Sequence, residues 1–194
     1  MAEMLEIRWH GRGGQGAKTA SQLLGEAAAG TGRYVQSFPE YGPERMGAPV
    51  TAFNRISDEP ITLHCNIAHP RVVLVLDASF TGKVDFTDGM PEDGILIINT
   101  DKPPAAMRRE LGLPPGKIHL YTVDASEIAR QTIGRDIPNT PMMGAFAGVT
   151  GIIPLEDLVE DTRKKLEKKF RSKPEVIEGN LEAIARAARE VRGE

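Results

Sequence analysis

The sequence predicts an α/β fold: a single doubly wound, Rossmann-like domain over residues 1–194, with a mostly parallel sheet and a helical C-terminal part from about 139 to 194. Three observations predict it. The chain opens on an alternating strand, a glycine cluster and an alanine-rich helix, the order of a βαβ unit. Two continuous aliphatic runs, at 72–76 and 95–98, suit parallel strands covered on both faces. Beyond Pro138 the strand character stops and helical patterns take over.

Each element has its own signal. Leu5, Ile7 and Trp9 alternate with Glu6 and Arg8, as in a half-buried strand. Residues 15–30 then read as a helix stopped by Gly30 and Gly32, and 33–38 as a second strand. Three prolines and two glycines within 39–49 exclude a regular helix or central strand there. Residues 50–56 alternate again, and 61–63 are expected to continue a hairpin after the turn at Asp58-Glu59-Pro60. The aliphatic runs end in Asp77 and Asn99, and 118–123 supply a further strand before a helix beginning at Asp124 or Ala125. Residues 142–149 are small and apolar, the mark of a helix buried among neighbours. Residues 155–170 and 175–191 are charged amphipathic helices, divided where Pro174 opens the second.

Composition narrows the function. At 194 residues the chain can bury about 70% of its unfolded surface in one core. A net charge of −3, with both signs mixed along the chain, lacks the basic face of a general nucleic-acid binder. Cys65 is the only cysteine, which fits a reducing cytoplasm and is too few for an iron–sulfur cluster held by this chain alone. No apolar run reaches the ~18 residues of a membrane span, and the start does not resemble a signal peptide. A soluble cytoplasmic protein with no nucleic-acid or membrane partner is expected. His64 and His69, beside Cys65, lack the ligand number and order of a zinc site.

Gly11-Arg12-Gly13-Gly14-Gln15-Gly16 satisfies G-x-G-x-x-G between a strand and a helix. Glycines let the backbone approach a ligand closely, and the helix start presents N–H groups and partial positive charge to an anion. Arg12 and Lys18 add charge. Two specific versions of the motif fit poorly. A nicotinamide site carries an acid at the end of the second strand, where this chain has Gln36-Ser37-Phe38 and places Glu40 beyond; a Walker loop needs a closing G-K-[ST]. Three readings stay open: a phosphate or CoA-type anion site, a tight turn packed on a partner without ligand, and an independent nicotinamide-dependent oxidoreductase.

The combination of segments is more specific than the glycine motif. His10-Gly11-Arg12-Gly13-Gly14-Gln15-Gly16-Ala17, then Phe38-Pro39-Glu40-Tyr41-Gly42-Pro43-Glu44-Arg45-Met46-Gly47-Ala48-Pro49-Val50, and later Ile137-Pro138-Asn139-Thr140-Pro141-Met142, closely resemble the gamma subunit of pyruvate/2-ketoisovalerate:ferredoxin oxidoreductases over nearly the whole chain. That resemblance implies CoA-dependent oxidative decarboxylation of a 2-oxoacid to an acyl-CoA, with electrons passed to ferredoxin. Thiamine diphosphate and iron–sulfur clusters would belong to alpha, beta and ferredoxin-like delta partners or their equivalents. This chain, which has no Gly-Asp-Gly thiamine signature (Asp88-Gly89 comes nearest), would complete the assembly and supply no catalytic residue. The 44–50 run resembles the pyruvate and branched-chain branch. Met46 stands where many relatives carry a second arginine, so no double-arginine clamp is implied.

On this resemblance Gly11, Arg12, Gly13, Gly14, Gln15, Gly16, Glu44 and Arg45 are the candidate cofactor-binding residues, facing coenzyme A. Neighbours in an extended loop point to opposite sides, so one of Glu44 and Arg45 anchors while the other faces outward. Arginine's planar fork suits a phosphate, and an ion pair explains Arg45 equally well. Asp77 and Asn99 sit at the carboxyl edge of the inferred sheet, as ligand contacts or as caps and turn formers. Asn139 and Thr140 read as the cap of the apolar helix or, on the resemblance, as residues on the cofactor side. The cationic run 163–169 reads as a solvated helix face with Asp161 and Lys165 at i,i+4, or as a surface that attracts acidic ferredoxin.

Overall fold

In the first strand, β1 (Leu5–Arg12), alternation sends Ile7 and Trp9 into one hydrophobic layer and Arg8, His10 and Arg12 into the other. A computed structural model, which describes residues 4–40 and 48–194, builds the rest around it. The further strands are β2 (Tyr34–Glu40), β3 (Pro49–Ser57), β4 (Val72–Val75), β5 (Ile95–Asn99), β6 (His119–Val123) and β7 (Arg192–Gly193). The helices are α1 (Ala17–Gly30), α2 (Pro104–Leu111), α3 (Ala125–Ile133), α4 (Asn139–Thr150), α5 (Leu155–Lys169) and α6 (Pro174–Glu190).

The sheet runs in the order β2-β3-β1-β4-β5-β6-β7. β1, β4, β5 and β6 are parallel neighbours; β3 pairs antiparallel with both β1 and β2, and β7 antiparallel with β6. Five of the seven strands therefore run one way. The expected βαβ unit exists but is split, because β3 lies between β1 and β2. Burial gives the reason. Residues 52–57 of β3 are all buried, while no residue of β2 is, so the strand with two covered faces takes the interior position and β2 the edge.

The two layers are unequal. α1, α3, α4, α5 and α6 cover the Ile7–Trp9 face. The other face is covered by α2, through Met107, and by Phe80 and Phe86 of the irregular stretch after β4. α4 is buried nearly all round and packs most extensively on α6. The two backbones come so close that a Cβ on Gly144 would stand 2.1 Å from the Ile184 carbonyl oxygen. No helix among the described residues is long and apolar enough to cross a membrane.

Two expectations need correction, and two elements were not foreseen. Residues 61–63 form no strand; the neighbouring Cys65 and Asn66 carbonyls instead accept from the buried Arg55 guanidinium, at 2.8 and 3.4 Å. The cap of α4 is Pro138, not Asn139 or Thr140: Asn139 Oδ1 accepts from the adjacent Thr140 N–H (2.8 Å), and Thr140 Oγ1 donates to Asn180 Oδ1 (2.9 Å). α2 was hidden by Pro103-Pro104, although Pro104 occupies the first helical turn, where a missing N–H costs nothing. β7 is too short to leave a pattern.

Candidate functional site

After β1 the chain turns toward β2 and β3; after β4 it proceeds toward β5. The carboxyl ends of β1 and β4 therefore flank a topological switch point, where open α/β sheets form a ligand crevice. Gly11 and Arg12 end β1, and Asp77 follows β4. The glycine motif and Asp77 meet there.

The turn is tight and held on several sides. The Gly13 amide donates to the Ala48 carbonyl (3.1 Å) and the Gln15 amide to the Arg12 carbonyl (3.0 Å). Gly16 takes φ +83° as the N-cap of α1 and provides no side-chain cap. It also has no room for a side chain, since a Cβ would stand 2.8 Å from Asn139 Nδ2 at the start of α4. Gly14, at φ +99°, faces open space.

Across the crevice runs a polar lock. Arg12 Nε donates to Asp77 Oδ2 (2.8 Å), Arg12 Nη2 to Ser79 Oγ (2.8 Å), and Gln15 Nε2 to the same Asp77 oxygen (3.1 Å). Gln15 Oε1 accepts from the Arg12 amide at 2.8 Å. Asp77 Oδ1 caps the short 3-10 turn Ala78–Phe80 by accepting from the Ser79 amide (3.0 Å), and the Arg12 guanidinium lies 4.8 Å above the Phe80 ring. Burial pushes the Asp77 carboxyl up, but hydrogen bonds from Ser79 and Arg12 outweigh it and hold the group below its ordinary range. The Arg12 side chain is 42% exposed and that of Asp77 13%, so the cation sits at the mouth and the carboxylate inside.

Behind the lock, the His10 ring packs against Phe86 at 5.4 Å, and its buried Nε2 has no hydrogen-bond partner among the described residues. Burial, with the Arg8 charge nearby, lowers its pKa to about 4. Because the unfolded chain binds this proton at a higher pH, the stabilisation is complete above about 6.5 and is lost as pH falls toward 4. Between about pH 7 and 4, wild type is expected to lose about 3 kcal/mol more folding stability than His10→Gln, as read by urea unfolding. Equal pH slopes would show that His10 is not held neutral.

Gly11, Arg12, Gly13, Gly14, Gln15 and Gly16 thus lie together at the switch point, whereas Glu44 and Arg45 fall outside the described residues. Asn99 serves as a staple: Nδ2 donates to the Leu76 carbonyl (2.9 Å) and to Ser126 Oγ (3.0 Å), and Oδ1 accepts from the Ser126 amide (3.0 Å). Ser79, Phe80 and His10 were not among the candidates, although Asp77 with Ser79 two residues on has the spacing of a capped turn. β2 extends to Glu40, so an acid does end the second strand in sequence. With β3 between them, however, it stands about two strand spacings, ~10 Å, from β1 and not in the adjacent strand. Cavities of about 400 and 500 Å³ lie elsewhere, at the α5–α6 corner and beside Met4, His69 and Met90; the switch crevice is occupied by the chain's own Arg12, Gln15 and Asp77.

These features define a Rossmann-like domain with a preformed glycine turn at its switch point. The chain belongs to the pyruvate ferredoxin/flavodoxin oxidoreductase family, as a gamma-type subunit; the family model matches residues 6–190. It is 51% identical over 187 residues to pyruvate synthase subunit PorC of Thermotoga maritima, covering 96% of this chain and 94% of that protein. It is 49% identical over 162 residues to the pyruvate/ketoisovalerate oxidoreductases common subunit gamma of Pyrococcus abyssi, covering 82% and 86%. The crystal structure of pyruvate oxidoreductase subunit PORC from Thermotoga maritima matches with a TM-score of 0.84 at 46% identity, covering 99% of each chain.

Proposed function

We infer that this chain is the gamma subunit of a CoA-dependent 2-oxoacid:ferredoxin oxidoreductase, with pyruvate as the expected oxoacid. The whole enzyme converts pyruvate and coenzyme A to acetyl-CoA and carbon dioxide and passes two electrons to ferredoxin. Thiamine diphosphate and iron–sulfur clusters reside on alpha, beta and ferredoxin-like delta partners or their equivalents. Within that assembly Gly11–Gly16, Arg12, Glu44 and Arg45 face coenzyme A, which when bound supplies the thiol that takes up the acyl group. The chain's own task is binding and orientation. The observation that carries the reading is the open Gly14 beside an α1 start with no side-chain cap, with Arg12 at the crevice mouth: an anion there would meet backbone N–H groups and a half-exposed guanidinium.

One observation favours a second reading, in which the turn is an assembly element without ligand. Arg12 and Gln15 already satisfy one another and Asp77. The double variant Arg12→Ala with Arg45→Ala, in the reconstituted enzyme, separates the two. Loss of two charge-assisted contacts is expected to raise the KM for coenzyme A by about tenfold or more, with the KM for pyruvate unchanged. An unchanged coenzyme A dependence with assembly intact would exclude the phosphate role and favour the ligand-free turn.

A further inference from the structure

We propose that the corner where α5 turns into α6 is an electrostatic docking surface for the acidic protein that accepts this enzyme's electrons. The proposal rests on the gamma-subunit reading. Residues 163–173 carry seven cations and one anion, +6 in a chain whose total is −3. Part of this charge is neutralised locally: Arg163 pairs with Glu178, Lys164 with Glu160, and Lys165 with Glu26 and Asp161. Lys168, Arg171 and Lys173 make no ion pair among the described residues, and Lys169 lies over the Phe170 ring at 5.3 Å. Basic residues in the last turn of a helix complement its dipole, which accounts for Lys168 and Lys169. It does not account for Arg171 and Lys173, which lie beyond the helix end.

The surface is also concave. Lys164, Glu167, Lys168 and Arg171 rim a cavity of about 400 Å³ with the buried Ile177 in its lining, above the small apolar cluster of Leu166, Ile177 and Leu181. A carboxylate-bearing surface seated there gains several cations at once, and long-range attraction steers it in. A nucleic acid fits less well, because the rest of the chain is net negative and repels a polyanion that runs past the corner. An anionic membrane fits less well too: the exposed large hydrophobic side chains among the described residues, Tyr34 and Leu63, lie outside this segment.

The test is Lys168→Glu with Arg171→Glu in the reconstituted oxidoreductase, beside the milder pair Lys168→Gln with Arg171→Gln. Pyruvate-dependent reduction is followed with a ferredoxin of net negative charge and, separately, with methyl viologen. The charge-reversed enzyme is expected to show a KM for ferredoxin raised about tenfold, a weaker salt dependence and an unchanged viologen rate, with the glutamine pair intermediate. An unchanged ferredoxin KM and salt dependence would overturn the proposal. So would loss of assembly and viologen activity together, which would make the corner a subunit contact. Failure of the gamma-subunit reading is separately visible, as an unaltered complex that reduces no viologen with pyruvate.

Discussion

Gly144→Ala is expected to lower the folding stability of this chain by about 3 kcal/mol, one methyl group notwithstanding. The added Cβ would stand 2.1 Å from the Ile184 carbonyl oxygen, 2.7 Å from its carbon and 2.8 Å from its Cα. These are backbone atoms of α6, so no rotamer change relieves the overlap and the helices must part. Alanine's better helix propensity returns only about 1 kcal/mol. α4 and α6 anchor the helical layer over the sheet, so parting them also loosens Met142, Met143, Phe146 and Ile184 in the core. For a chain of this size the melting temperature should fall by about 10 °C in a circular-dichroism melt. Gly30→Ala, where nothing lies within 4 Å of the new Cβ, is the matched control and should leave the melt unchanged or slightly raised. A Gly144→Ala melt equal to wild type would mean that the two helices do not approach as described.

The second large effect is at Arg55, whose side chain is 1% exposed. Its guanidinium donates to Glu6 Oε1 (2.8 Å), Gln36 Oε1 (3.1 Å) and the Cys65 carbonyl (2.8 Å), joining β1, β2, β3 and the irregular segment after β3. With the Asn66 carbonyl (3.4 Å), Arg55→Ala deprives four acceptors of this donor, one of them a carboxylate that is only 18% exposed. Breaking a buried pair in this way costs about 3–5 kcal/mol, more than the pair itself contributes relative to an apolar replacement. Arg55→Lys should recover little, because one ammonium cannot reach four acceptors held around a planar fork. Urea unfolding measures both. A loss below about 1 kcal/mol for Arg55→Ala would contradict the central place given to this network.

Most elements were legible because their periodicity is local. Ile7 and Trp9 announce β1, the aliphatic runs announce β4 and β5, and the amphipathic stripes announce α5 and α6. Strand order was not legible. β3 enters between β1 and β2 because of what covers its two faces, which depends on helices and loops far away in sequence. The site divides in the same way. The glycine turn could be read from six consecutive residues, but the contact that closes its crevice joins Arg12 to Asp77, 65 positions apart. Asp77 was visible only as the residue ending an aliphatic run. Gly16 satisfied the motif, but the reason it must be glycine, Asn139 pressed against it, comes from the start of α4. Buried Arg8 and Arg55, and the partly buried His10 ring, were not legible as interior groups, since charged residues in a strand ordinarily mark its solvent face.

The most direct test of the account is a coenzyme A titration of pyruvate-dependent ferredoxin reduction by the thiamine- and cluster-bearing partner subunits, with and without this chain. The predicted result is a saturable dependence on coenzyme A that appears only when the chain is present and shifts to higher concentration with Arg12→Ala and Arg45→Ala. The same rate and the same coenzyme A dependence in its absence would contradict the claim that this subunit completes the enzyme and faces the cofactor.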